Sequence, residues 1–156
     1  MPRRKRKLKR QELKPDPRYN SLRVAIFINK VMREGKKDIA RRIVYNALDL
    51  TKAKIEKEPV EILTQAINNV KPQQEVRSRR VGGSNYQVPM AVRADRAETL
   101  AMRWIITAAK SKKVSMEKAL AQELITAYNG EGEAMKKKEE VQRMAEANRA
   151  FAHFKW

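Results

Sequence analysis

Apolar residues first gather after position 20. From Asn20 or Ser21, either of which suits an N-cap, SLRVAIFINKVMREG is apolar on most faces and runs to Gly35. A helix that apolar belongs in a core. Asp38 opens a second helix, DIARRIVYNALDLTKAKIEK, with Ile39, Ile43, Ala47 and Leu48 on one stripe. Glu58-Pro59 opens a third, in which Val60, Leu63, Ala66, Ile67 and Val70 face inward and Pro72 marks the end.

The period then changes from 3.6 to 2. Tyr86, Val88, Met90 and Val92 share one face, and Val76 is their candidate partner across a turn near Gly82-Gly83. This predicts a β-hairpin over 73–92 whose polar excess projects it into solvent. Helical period returns at Asp95, where Asp95 and Glu98 have capping-box spacing ahead of Leu100, Ala101, Trp104, Ile105 and Ala108. Ser115 caps a fifth helix with Ala119, Leu120, Leu124, Ala127 and Tyr128 on its stripe, ending at Asn129-Gly130. A sixth begins near Glu133 and runs through His153-Phe154 on a thin stripe of alanines with Val141 and Met144, so it packs on one side only. The expected architecture is mainly α: a six-helix bundle, with the hairpin protruding as an arm between the third and fourth helices. Residues 1–156 form one domain, with a C-terminal helix and tail over 133–156. Residues 1–18 hold almost no large apolar side chain and three prolines, and are expected to be a disordered basic tail.

Charge changes the picture more than any motif. The chain has 36 Lys+Arg against 18 Asp+Glu, a formal charge of +18. The tail holds Arg3, Arg4, Lys5, Arg6, Lys7, Lys9 and Arg10, yet these seven are less than half of that excess. The folded body is therefore basic as well, and it calls for a polyanion, with nucleic acid foremost. A membrane surface fits less well, because no segment joins a basic face to a broad apolar one. No stretch has the ~18 apolar residues of a membrane span, and the N-terminus lacks the apolar core of a secretory signal, so the expected location is the cytoplasm. KRKLKR (5–10) has the composition of a nuclear-import signal, but any phosphate-binding tail looks the same.

Catalytic chemistry finds no constellation. Cysteine is absent and His153 is the single histidine, which excludes disulfides and thiolate metal sites and leaves a transition-metal centre or a Ser-centred triad without its parts. GEGEAMKKKEE and VGGSN lack the spacing and context of phosphate-binding loops. No cofactor is expected. Among the basic stretches, Arg41-Arg42 and Lys52/Lys54 read as a solvated helix face, and part of Lys136-Lys137-Lys138 pairs with Glu139-Glu140. Arg77, Arg79 and Arg80 differ, because Glu75 is the one acid near them in sequence. Guanidinium forks grip phosphates and stack on bases, so a slim arm tipped by Gly82-Gly83 reads as a probe of nucleic acid. Tyr86 either stacks on a base or packs on the arm.

Three long motifs carry a resemblance: DPRYNSLRVAIFINKVMREGKK (16–37), KPQQEVRSRRVGGSNYQVP (71–89) and KKKEEVQRMAEANRAFAHFKW (136–156). Together they resemble the small-subunit ribosomal protein seven family, in its bacterial form, over essentially the whole chain. The resemblance implies a six-helix bundle with a hairpin arm and a monomer when free. It further implies direct binding to the 3′ major domain of small-subunit ribosomal RNA, nucleation of subunit-head assembly, and a position at the subunit interface near the exit site. Messenger and exit-site transfer RNA, and small-subunit proteins nine and eleven, are the implied partners. Carried over by position, RNA contacts fall on Arg3–Arg10, on Lys36 and Lys37, and on Arg77, Arg79 and Arg80 of the arm, and Tyr86 joins them as a candidate from its place on the arm alone. Lys136, Lys137, Lys138, Arg143 and Arg149 fall on the exit-site side. The rival reading is an architectural DNA-binding protein, whose arms wedge an apolar residue or proline between bases at the tip.

Overall fold

A computed structural model describes residues 12–154. Its elements run α1 (Leu22–Val31), α2 (Lys37–Ile55), α3 (Pro59–Val70), β1 (Gln74–Val81), β2 (Ser84–Ala91), α4 (Ala94–Ser111), α5 (Met116–Tyr128) and α6 (Glu133–Ala147), then a 3₁₀ turn over Arg149–Phe154. Six helices and one antiparallel hairpin among the described residues match the expected class.

α5 is the hub of the bundle. It packs on α2, α3, α4 and α6, with Leu120 and Leu124 wholly buried. α3 shows why the sequence folds this way. Pro59 sits in the first turn, where its missing N–H costs nothing, and Ile62, Leu63, Ala66, Ile67 and Val70 form an unbroken buried stripe. Glu123 of α5 ties α6 and the residue after α4 together from inside: its Oε1 accepts the Ala134 N–H at 3.0 Å, and Lys112 stands 2.9 Å from Oε2. Gly132 must be glycine here, since its φ is +98° and a Cβ would meet Thr126 Oγ1 at 2.6 Å.

Several expectations shift. α1 ends at Val31, because Met32 turns extended and Glu34 and Gly35 both take positive φ. In α2 the buried row is Ala40, Val44, Ala47, Leu48 and Thr51, whereas Ile39 is 48 % exposed. Both Ile39 and Ala40 are apolar, and it is the smaller that faces the bundle. The Asp95–Glu98 capping box does not form: α4 starts at Ala94, so Asp95 is already helical, and Glu98 bonds Arg23 at 2.9 Å instead. Ser115 takes the N-cap position of α5 with no side-chain bond. The last helix stops at Ala147, and the chain bends into the 3₁₀ turn as Asn148 Nδ2 donates to the Met144 carbonyl at 2.8 Å.

The body begins at Asp16, inside the stretch assigned to the tail. Asp16 is 3 % exposed; it accepts the backbone N–H groups of Arg18 and Tyr19 and the Tyr45 hydroxyl at 2.8 Å. Burial first, and then the bond to Asp16, push the Tyr45 hydroxyl up to about 12. Arg18 reaches Asp49 at 2.9 Å and lies within 5.2 Å of the Tyr19 and Tyr45 rings. A strap over 16–19 is thereby fixed to the side of α2. Arg3, Arg4, Lys5, Arg6, Lys7, Lys9 and Arg10 lie outside the described residues.

Candidate nucleic-acid interface

The arm turns through Gly82 (φ 56°) and Gly83 (φ 90°), the two positive angles that a twist-matched two-residue hairpin turn needs. Its register sets Arg77 opposite Val88, Arg79 opposite Tyr86 and Arg80 opposite Asn85. Opposed residues share a face, so Arg77 and Arg79 lie on the same side as Tyr86 and Val88. Val76 faces Pro89 on the other side and is not the partner expected for that row.

The arm is held at two points. At its base Glu75, 8 % exposed, takes Arg77 Nη2 at 2.6 Å on one oxygen and Arg96 Nη2 at 3.2 Å on the other. Burial pushes the Glu75 carboxyl up, but the bonds from Arg77 and Arg96 outweigh it and hold the group below the usual carboxylate range. Further out, Tyr86 lies 5.2 Å from Phe151 and 5.2 Å from Phe154 of the 3₁₀ turn, centroid to centroid. Tyr86 therefore packs within the protein. His153 is part of the same turn, its Nδ1 2.9 Å from the Ala150 carbonyl oxygen.

Of the three arm arginines, then, one already has an internal partner. Among the described residues no carboxylate lies within ion-pair distance of Arg79 or Arg80. The α6 lysines are further committed. Lys136 pairs with Glu133 and Lys137 with Glu140, each at 2.7 Å, and Lys138 donates to the Asn69 carbonyl at 2.6 Å. Arg143 is exposed, and Arg149 borders a groove of about 500 Å³ between α6 and the foot of the arm, shared with Gln73, Gln74, Pro89 and Gln142. Lys36 bonds Glu34 at 2.7 Å, and Lys37 stands exposed in the first turn of α2.

These groups do not meet in one spot. α4 runs between them, and its solvent side was missed from the sequence. Arg96, Arg103 and Lys110 recur every seven residues, which returns to the same helical face, and all three are exposed. Arg96 is tied to the arm through Glu75, while Lys110 shares a groove with Arg33 and Lys36 at the other end. At about 1.5 Å per residue, the face spans roughly 20 Å. α1 lies alongside, joined by Arg23–Glu98 at 2.9 Å, and Lys30 sits two turns beyond Arg23 on the same side of that helix. Among the described residues Lys30, Arg33, Arg103 and Lys110 have no ion-pair partner. A row of uncompensated cations on packed helices, starting at the foot of a basic arm, suits a backbone of phosphates.

The family model described as ribosomal protein S7p/S5e matches residues 2–149. The chain belongs to that family. It is 54 % identical to "Small ribosomal subunit protein uS7" of Thermotoga neapolitana over 98 % of this chain and 99 % of the relative. The proteins of the same name from Desulfatibacillum aliphaticivorans and Bordetella petrii are 53 % and 55 % identical, with both chains covered in full. The chain is thus a structural, non-catalytic constituent of the small ribosomal subunit and works in the ribosome. Among the described residues no group of His, Cys, Asp or Glu is placed to hold a metal ion, and no helix is long and apolar enough to cross a membrane.

Proposed function

We propose that the chain binds the 3′ major domain of small-subunit ribosomal RNA directly and nucleates assembly of the subunit head. The observation that carries this is the α4 face, where Arg103 and Lys110 stand uncompensated between the arm and the Arg33–Lys36 loop. A rigid row of that length positions a backbone before any base is read. Residues 1–10 extend the contact as a charged tail. The arm, through Arg79 and Arg80, and the C-terminal segment, through Arg143 and Arg149, approach messenger and exit-site transfer RNA at the subunit interface. Small-subunit proteins nine and eleven are its neighbours there, and the free protein is a monomer.

The arm tip argues against an architectural DNA-binding role. Such arms push an apolar or proline wedge between base pairs, whereas this tip is Gly82-Gly83, and Pro89 is buried near the foot of β2. Binding of the full-length chain to a transcript of the 3′ major domain, with duplex DNA as competitor, tests the proposal. Footprints on the transcript that duplex DNA cannot displace are expected. Equal competition by the duplex would overturn the RNA reading.

A further inference from the structure

The groove at the far end of α4 combines two features that a purely electrostatic contact does not need. Its floor is apolar, made by Ile39, Ile43 and Met116, and its rim carries Arg33, Lys36 and Lys110. Its volume is about 290 Å³, near the lower end of ~300–1,000 Å³ for ligand pockets, so it admits one ring system and little more. Ile39 is 48 % exposed although its neighbour Ala40 is buried at 3 %. An exposed β-branched side chain at this position contributes little to the bundle. It does line a slot.

We infer that this groove receives a single unpaired base of a bound RNA, with the flanking phosphates held by Arg33, Lys36 and Lys110. The inference rests on the RNA-binding reading above and goes one step beyond it. Three cations around one small apolar floor match a nucleotide, which offers a flat ring between two anionic groups. The rim also continues the Arg96–Arg103–Lys110 row, so a strand following α4 would reach the groove without changing direction. Lys36 is held by Glu34 at 2.7 Å, an exposed pair that gives way readily to a phosphate. Arg33 has no such partner among the described residues, and its guanidinium plane is free to lie against the ring.

The probe is a stem-loop RNA with one unpaired 2-aminopurine in its loop, compared with the same RNA carrying an abasic residue there. Both have the same phosphates. The full-length chain should bind the base-bearing RNA about five- to tenfold more tightly, at the low end of the usual worth of an aromatic platform because this floor is aliphatic. The 2-aminopurine emission should change on binding. Ile39→Asn removes apolar floor without altering charge, and it should abolish the preference while leaving the salt dependence intact. A circular dichroism melt checks that the variant is folded; should it not be, Met116→Gln replaces it. Equal binding of the two RNAs by the parent would overturn the base slot alone. A preference that survives in the folded variant would overturn its placement in this groove. Failure of both RNAs to bind would overturn the RNA-binding reading together with the slot.

Discussion

The arm and the α4 face both present arginines, but the two are built differently. On the arm, Arg77 is bonded at 2.6 Å to Glu75, which it shares with Arg96, and the only aromatic ring is packed against Phe151 and Phe154. On α4, Arg103 and Lys110 project from a helix whose other side carries Met102, Ile105 and Ile106 into the core. The arm is held by a buried carboxylate with two exposed arginine partners and by an aromatic clasp, the α4 face by the whole bundle. Charge counted along a sequence is therefore not charge available to a partner. The arm, conspicuous in the sequence, leaves Arg79 and Arg80 without an ion-pair partner among the described residues, no more than the Arg103 and Lys110 of a face that looks ordinary.

The contrast can be broken first through stability. Leu124→Ala empties a fully buried site in the hub helix and should cost about 2–5 kcal/mol in urea unfolding. Phe151→Ala, in a half-buried turn, should cost about 1 kcal/mol, much of it local. Equal losses would mean that arm and body form one cooperative unit. The clasp sharpens the contrast at lower energy. In Phe151→Ala the amides of β1 and β2 should exchange with solvent several-fold faster while those of α5 keep their rates. Unchanged exchange in the arm would place its support at Glu75 alone.

Acid supplies the smallest effect. The folded Glu75 carboxyl is held below its ordinary value, so its contribution is present above the unfolded value and is lost as pH falls through the folded one. The parent should exceed Glu75→Gln in melting temperature at neutral pH. That gap should close as pH drops below about 4, by a degree or two for a group with an exposed partner such as Arg77. A constant gap from neutral pH to pH 3 would show that the pair contributes geometry and not charge.

Much of the bundle was legible in the sequence, because α3 and α5 carry unambiguous 3.6-residue stripes and Pro59, Pro72 and Gly130 punctuate them. Local rules failed where tertiary partners outbid them. Glu98 left its capping role for Arg23, and Ile39 gave the inward place to Ala40. The hairpin was visible from its period, but not its register, since two glycines allow more than one alignment and only pairing shows that Arg79 opposes Tyr86. The clasp was hidden because nothing local ties 86 to 151. The α4 face had a signal that was not used. Neither Arg103 nor Lys110 has an acid three or four positions away, the spacing at which a helix neutralises its own cations.

The most direct test of the account is the slope of log K against log salt for RNA binding, measured for the parent, for Arg103→Gln with Lys110→Gln, and for Arg77→Gln. The parent slope should be steep. The α4 double variant should flatten it by about 1.5–2, close to one for each lost phosphate contact. Arg77→Gln should leave it nearly unchanged, because that guanidinium is already paired with Glu75. A parent slope shallower than about −2, or an Arg77→Gln slope as flat as that of the α4 variant, would contradict the account.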